Sequence, residues 1–552
     1  MCLGNLSEWT KCSYQNKQPE RTPLIFPHDM LEAFPKLSEV KLGQLTERVY
    51  PKQEEVVTKA MSRFAANPKS FVSKTTKSTH IVKKGTVVDG EFEMADSCHV
   101  YKDNKGVLYT VALSAADMSS NRNSYYKMQL LRHDTDKNQY YLFRSWGRVG
   151  TTIGGDKTDD YEGNEGIADA REEFERLFLE KTGNEWKDKA NFQKKPGRMC
   201  MLEMDYSELA EKDDEKSQVK SGSKTKLHKA IQDLIMLIFD VEQMKTALKS
   251  FELDMNQMPL GKLSKKQLTT AYAVLTELQS LMEAGSTSSD KIVDASNRFY
   301  SLVPHNWGMR QPDKLDNMEI IQAKSKLLDD LMDIAVAVNL MKDEEKDKMK
   351  SGMVEVDPID QHYLKLKSEI AIVAAKSPEY GLIQKYLKNT HGETHNTKLD
   401  IVQLYRVSRE GEADRFKKDL GNRMLLWHGS GVANFVGIIS QGLRIAPPEA
   451  PHAGYMFGKG IYFADMVSKS AGYCRAEQNG IAILLLCDVA LGKVEDHLKA
   501  TQTMPLKKGS HCCKGVGQSF PDPEDYYDHP DGYRIPYGKP VKKSLHNLLY
   551  NE

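Results

Sequence analysis

The stretch "LLWHGSGVANFVGIISQGLRIAPPEAP", Leu425 to Pro451, decides how the C-terminal part of this 552-residue chain folds. An apolar strand runs into His428-Gly429-Ser430, a short helix follows, and a Pro-rich loop closes the segment. "GYMFGKGIYFADMVSKSAGYC", Gly454 to Cys474, comes close behind. Together with the strand patterns "LDIVQLYRV", "RMLLWHG", "GKGIYFA" and "IAILLLCDVALG", separated by loops and short helices, these residues predict a mixed α+β domain over 359–552. Taken singly, His428 reads equally as a core histidine, Tyr462 and Tyr473 as packing aromatics, and Gly458-Lys459-Gly460 as a turn. That turn is not a dinucleotide-binding fingerprint, because it lacks a third glycine and runs into a strand pattern.

Upstream the periodicity becomes helical. Leu227, Ile231, Leu234, Ile235, Ile238, Val241, Met244 and Leu248 recur at three- and four-residue steps and so share one helix face. "SKKQ" at Ser264–Gln267 is a capping box, Gly285 follows the last apolar residues of that helix, and further helices are expected at about 292–303 and 318–341. This predicts an all-α bundle over 222–345. Before it, "HVYKDNKGVLYTVALSAAD" and "NSYYKMQLLRHDTDKNQYYLFRSWGRVGTT" alternate apolar and polar residues around the turn signals "DNKG" and "DTDKN". A small antiparallel sheet followed by a helix near 168–181 is expected there, over 86–206. Linkers are expected at 28–85, ending in the Lys/Ser/Thr-rich stretch from Lys69 to Thr86, at 211–226 and at 342–358. The fold class is therefore multidomain α+β.

Composition sets limits on function. Lys+Arg 77 balance Asp+Glu 77, so contact with a polyanion must come from a local patch. The longest uncharged apolar run, Ile481 to Cys487, is too short to span a bilayer, and "MCLGNLSEWTK" has no secretory core. A soluble intracellular protein without membrane partners is expected. Eight scattered cysteines in a chain of this size predict reduced thiols rather than a disulfide framework.

From Arg423 to Cys474 the chain resembles the catalytic domain of the poly(ADP-ribose) polymerases of the DNA-damage-activated type. "RSWGRVGT" at Arg144–Thr151 is similar to the WGR domain, and "MPLGKLSKKQL" with "SNRFYSLVPH" to the helical regulatory domain of that family. The resemblance implies an NAD-dependent ADP-ribosyltransferase with a triad of His428, Tyr462 and Glu552. NAD, the substrate, would be gripped by His428, Gly429, Ser430, Arg444, Tyr455, Lys469, Ser470 and Tyr473. It implies that Trp146 and Arg148 face DNA, helped by a basic patch including Arg122, Lys127 and Arg144, and that Asp329 and Asp333 face the catalytic domain. Damaged DNA, with its nicks and ends, and protein acceptors including the chain itself would be the partners, in the nucleus. "CLGNLSEWTKC" resembles the second half of a zinc-binding module, a remnant over 1–27 with Cys2 and Cys12 in metal-ligand positions. Family members continue past the triad glutamate and carry a further cysteine pair before Cys2. The chain is accordingly expected to be a fragment, with zinc doubtful. Polymer synthesis is the first expectation; mono-ADP-ribosyl transfer and an inactive DNA-end-binding scaffold are the alternatives.

Overall fold

A computed structural model describes residues 5–12, 81–83, 86–204, 225–240, 244, 263–285, 289–351, 357–392, 398–451, 455–474, 480–499 and 506–542. The chain divides into two units, 1–3 with 13–78 and 4–12 with 79–552, and the described residues all belong to the second. It is a multidomain α+β protein.

The first layer is an antiparallel sheet. Strands β1 (Ile81–Lys83) and β2 (Thr86–Val88) pair with each other, so strand structure begins within the stretch read as linker. A larger sheet runs β7 (Gly154–Glu162), β6 (Gln139–Arg148), β5 (Arg122–His133), β4 (Thr110–Asp117), β8 (Cys200–Met201), with β3 (Cys98–Val100) also on β5. Helix α1 (Gly163–Thr182) packs on one face through Ala170, Phe174, Leu177 and Phe178, burying them with Leu113, Met128 and Leu142. Strand β7 was not foreseen: its sequence GGDKTDDYE is polar and mostly exposed, so no apolar alternation marks it.

The bundle follows as α2 (Lys229–Ile238), α3 (Lys265–Glu283), α4 (Ser289–Leu302) and α5 (Met318–Ser351). Ser264 caps the helix as read, its hydroxyl accepting the Gln267 N–H at 3.1 Å. The reciprocal half of the box does not form, because the Ser264 N–H goes to the Glu203 carbonyl at 3.0 Å and the Gln267 amide donates to the Leu302 carbonyl at 2.9 Å. Gly285, at φ +64°, ends α3 in the left-handed conformation that glycine tolerates best. Helix α5 continues past 342 into the segment read as linker. One apolar core runs from Leu275, Phe299 and Leu328 of the bundle into Val432, Phe435 and Ile439 beyond it.

The C-terminal region centres on β11 (Arg423–Gly429), antiparallel to β12 (Leu484–Ala490) and parallel to the short strand Arg534–Ile535. β9 (Ser368–Ile372) and β10 (Tyr405–Arg409) form a separate pair. "GKGIYFA", read as a strand, is a loop here. The Tyr462 hydroxyl accepts the Phe457 N–H at 3.0 Å and donates to the Gly458 carbonyl at 2.6 Å, folding the chain round its own ring and taking groups that a ladder would need.

Candidate active site and its regulatory contacts

β11 carries His428 and Gly429 against the 455–464 loop on one side and helix α9 (Val467–Ala471) on the other. Here α6 (Pro358–Lys365), α7 (Pro378–Asn389) and α8 (Phe435–Gln441) are the longer helices between α5 and α9, with a single helical turn at Glu412–Arg415 left unnumbered. His428 Nδ1 lies 2.8 Å from the Tyr462 carbonyl. A carbonyl only accepts, so Nδ1 carries the proton and Nε2 presents a lone pair. Burial pushes the imidazole below its ordinary pKa, with the carbonyl contact opposing, and keeps the ring neutral at pH 7.

Gly429 is required by its neighbours. A Cβ there would sit 1.9 Å from the Ser470 carbonyl oxygen and 3.0 Å from Cys474 Sγ, so only a bare backbone lets α9 close on β11. The buried Ser470 hydroxyl donates to the Trp427 carbonyl at 2.9 Å, and the Ala464 N–H occupies that same carbonyl at 2.9 Å. Ser470 therefore faces any ligand as an acceptor unless its hydroxyl rotates. Tyr462 and Tyr473 are 38% and 55% exposed, flat faces open to a planar ligand. Tyr455 lies 5.9 Å from the Tyr462 ring, and Lys469 is half-buried on α9. Glu552 and Cys2 lie outside the described residues.

The bundle contacts this region through α5. Asp333 of α5 pairs with Arg444, which also donates to Gln441 at 3.0 Å. Asp330 accepts from the Asn434 amide at 2.7 Å, and that amide also donates to the Ser430 hydroxyl at 3.0 Å. Asp329 instead accepts the Tyr272 hydroxyl at 2.5 Å, inside the bundle side of the contact. The Lys326 ammonium lies 5.7 Å from the centroid of Tyr473. Two of the expected NAD residues, Arg444 and Ser430, are thus tied to α5, one directly and one through Asn434. Asp330, Asn434, Tyr272 and Lys326 were not foreseen, because the contacts Asp330–Asn434, Tyr272–Asp329 and Lys326–Tyr473 each join residues more than fifty apart in sequence and no local pattern marks them.

On the sheet, Trp146 is 38% exposed and stacks on Tyr126 at 6.2 Å. Arg148, expected on a DNA phosphate, has other partners in this structure. It donates to the Asn121 carbonyl at 2.5 Å, Asn121 Oδ1 at 3.0 Å, the Gly308 carbonyl at 2.7 Å and the Arg310 carbonyl at 3.3 Å. Convergent carbonyls from the sheet and the 308–310 loop thus engage the planar fork of donors in this structure. The expected basic patch is also divided: Lys127 pairs with Asp89 at 3.0 Å and Arg144 with Asp159, while Arg122 makes no ion pair among the described residues. Further bonds dock the sheet on the bundle, including Ala116 N–H to the Ser301 hydroxyl at 3.0 Å and Met118 N–H to Asn297 Oδ1 at 2.9 Å.

Sequence comparison places these parts. The model of the poly(ADP-ribose) polymerase catalytic domain matches residues 377–552, and that of the polymerase regulatory domain matches 225–363. The WGR domain matches 109–193. The chain belongs to the poly(ADP-ribose) polymerase family. Poly [ADP-ribose] polymerase 1 of Caenorhabditis elegans is 42% identical over 584 residues, covering 100% of this chain and 61% of that protein. The Gallus gallus protein of the same name is 48% identical over 477 residues, 85% of this chain and 46% of the relative. Poly [ADP-ribose] polymerase of Sarcophaga peregrina is 44% identical over 507 residues, 91% and 48% respectively. The chain therefore spans about half to three fifths of the length of these polymerases.

A zinc ribbon of the PADR1 domain matches residues 1–22. Of the two cysteines expected as ligands, Cys12 is a half-buried free thiol. Among the described residues no group of three or more His, Cys, Asp or Glu could hold a metal ion, so the four ligands of a structural zinc site are not assembled from them.

Proposed function

We propose that this chain binds NAD against β11 and transfers its ADP-ribose to proteins, itself included, extending it into polymer in the nucleus when damaged DNA is bound. The observation that carries the reading is the contact of Gly429 with the Ser470 backbone, which leaves a side-chain-free edge between a neutral, oriented His428 and the exposed Tyr473 ring.

On this reading the Gly429 backbone N–H and C=O grip the nicotinamide amide, Ser470 adds a hydroxyl contact, and Tyr473 stacks on the ring while Tyr462 and Tyr455 wall the pocket. His428 Nε2 accepts from the adenine-side ribose, Ser430 lies next along the strand, and Arg444 holds the adenosine part. Nicotinamide leaves NAD as a neutral group, so no general acid is needed. Positive charge moves onto the ribose, and the Glu552 carboxylate stabilises it, holding a ribose hydroxyl and then the acceptor hydroxyl, with Lys469 on α9 near this end of the pocket. Trp146 packs on a terminal sugar of broken DNA, a contact that reads ends rather than sequence. The α5 contacts to Arg444 and Ser430 favour a state in which those residues are withheld from NAD. DNA binding must favour the alternative state for turnover to rise.

The test is incubation of the purified chain with labelled NAD, with and without nicked duplex. Long heterogeneous products that depend on the duplex are expected, and Glu552→Gln should abolish their length. Single-unit labelling would replace polymer synthesis with mono-ADP-ribosyl transfer. DNA retention with no label would leave a scaffold.

A further inference from the structure

Away from the NAD cleft, cations from three parts of the chain converge on a small cleft at a junction of three segments. Arg122 comes from the start of β5, Lys194 and Arg198 from the loop before β8, and Lys11 from the 5–12 segment. The Ser301 end of α4 closes the cleft, and one carboxylate, Asp117, shares it. That carboxylate is already engaged, accepting from the Ser119 N–H at 3.0 Å and the Ser120 hydroxyl at 2.8 Å. Arg198 is held by the Glu180 carbonyl at 2.5 Å. Lys194 donates to the Glu8 and Lys195 carbonyls and lies 5.0 Å from the Trp9 ring centroid.

Arg122 is the exception. Its guanidinium is half-buried and makes no hydrogen bond among the described residues. Five donors in a partly desolvated place without an acceptor are costly, and the neighbouring cations add repulsion. The strain shows in both groups. Burial pulls the Arg122 guanidinium below its ordinary pKa, with Asp117 opposing, and burial brings Lys194 down to about 8, with Arg122 contributing repulsion.

We propose that this cleft is an anion site taking a phosphate or pyrophosphate group, gripped by the Arg122 fork with Lys194 and Lys11 beside it. A planar guanidinium flanked by ammonium groups suits phosphoryl oxygens. The cleft is small, so the site takes only the phosphate part of a larger molecule or the free ion. Two sources offer that chemistry: the backbone of DNA near a break, and the pyrophosphate of ADP-ribose. An occupant would tie the 5–12 segment, the sheet and α4 together, next to the hydrogen bonds that dock the sheet on the bundle.

The site is read by binding to the whole chain, so its fate is separable from that of the proposed transferase activity. Titration calorimetry with pyrophosphate at constant ionic strength should give one site, with melting raised in step. Arg122→Gln should weaken binding at least tenfold, and Lys11→Gln, on the exposed rim, should weaken it severalfold. If Arg122→Gln melts early, Arg122→Lys, which keeps charge but loses the fork, should still fold and bind less tightly than the parent. Displacement of pyrophosphate by nicked duplex would assign the phosphate to DNA, and displacement by ADP-ribose alone would assign it to the nucleotide. Absence of binding by the parent chain, or equal binding by the Arg122 variants, would overturn the proposal.

Discussion

Asp329 shows how much one half-buried carboxyl can govern. Its pKa is pushed up to about 7, chiefly by burial, with Asp330 and Asp333 adding repulsion while the Tyr272 hydrogen bond and Lys326 oppose. An unfolded Asp titrates near about 4. Between about pH 4 and 7 the folded chain therefore holds a proton that the unfolded chain has lost. The resulting stability is complete below about 4 and disappears as pH rises through about 7. Asp329→Asn keeps an acceptor for Tyr272 and removes the ionisation. At about 1.4 kcal/mol per unit of separation, it should stabilise the chain by roughly 2–4 kcal/mol at pH 8 and by little at pH 4. Thermal melts at the two pH values decide this, and an equal gain at both would remove the electrostatic explanation. At this scale the sequence was most legible where a residue works through its own neighbours. His428 and Gly429 lie at the end of a strand that the apolar pattern marks, but their roles, like that of Asp333, came only from the resemblance. The spacing of Arg148 beside Trp146 says nothing of the carbonyls at Asn121, Gly308 and Arg310 that its guanidinium meets in this structure.

Elements meet in the cleft through two close approaches. In the first, β11 meets α9 at Gly429. Gly429→Ala would place a methyl 1.9 Å from the Ser470 oxygen, so strand and helix must separate. Overpacking of this kind costs about 1–3 kcal/mol. The expected result is a chain that melts a few degrees lower and binds benzamide, a nicotinamide mimic, at least a hundredfold more weakly; retained affinity would show that the edge is not the binding surface. In the second, α5 meets α8, where the Asp333 backbone lies 3.5 Å from a Cβ placed on Gly437 and its carboxylate pairs with Arg444. Asp333→Asn should loosen Arg444 and raise NAD affinity in the absence of DNA by roughly two- to fivefold, as removal of an ion pair worth about 1 kcal/mol or less would. Unchanged affinity in calorimetry would mean that Arg444 is not withheld. Helices α3, α4 and α5 were legible from capping and periodicity. The loop at 455–464 was not, because its apolar and polar residues alternate like a strand while Tyr462 binds the backbone that a ladder would use.

The whole molecule is less modular than its sequence. Composition breaks separate sheet, bundle and catalytic region. Yet the bundle shares one apolar core with Ile359, Ile370, Phe435 and Val436, while the sheet keeps two cores of its own around Leu113 and Phe174 and around Phe92 and Phe143. The bundle and α8 should therefore unfold together, and the sheet should be separable. What joins the sheet to them is mostly polar: Ser301, Asn297 and the carbonyls around Arg148. Hydrogen bonds of this kind contribute about 0.5–1.5 kcal/mol each, and more when one partner is charged, so the Arg148 fork is the largest single link. Arg148→Ala should leave both folded parts intact, because no buried apolar contact is lost from any core. It should uncouple them, turning one melting transition into two and cutting DNA stimulation of labelling severalfold while DNA-independent labelling stays near the parent level. Calorimetry on the full chain, read beside the labelling assay, tests both halves. A single transition with full DNA response would place the coupling elsewhere, in the apolar contact that Ala116 and Cys200 make with the bundle core.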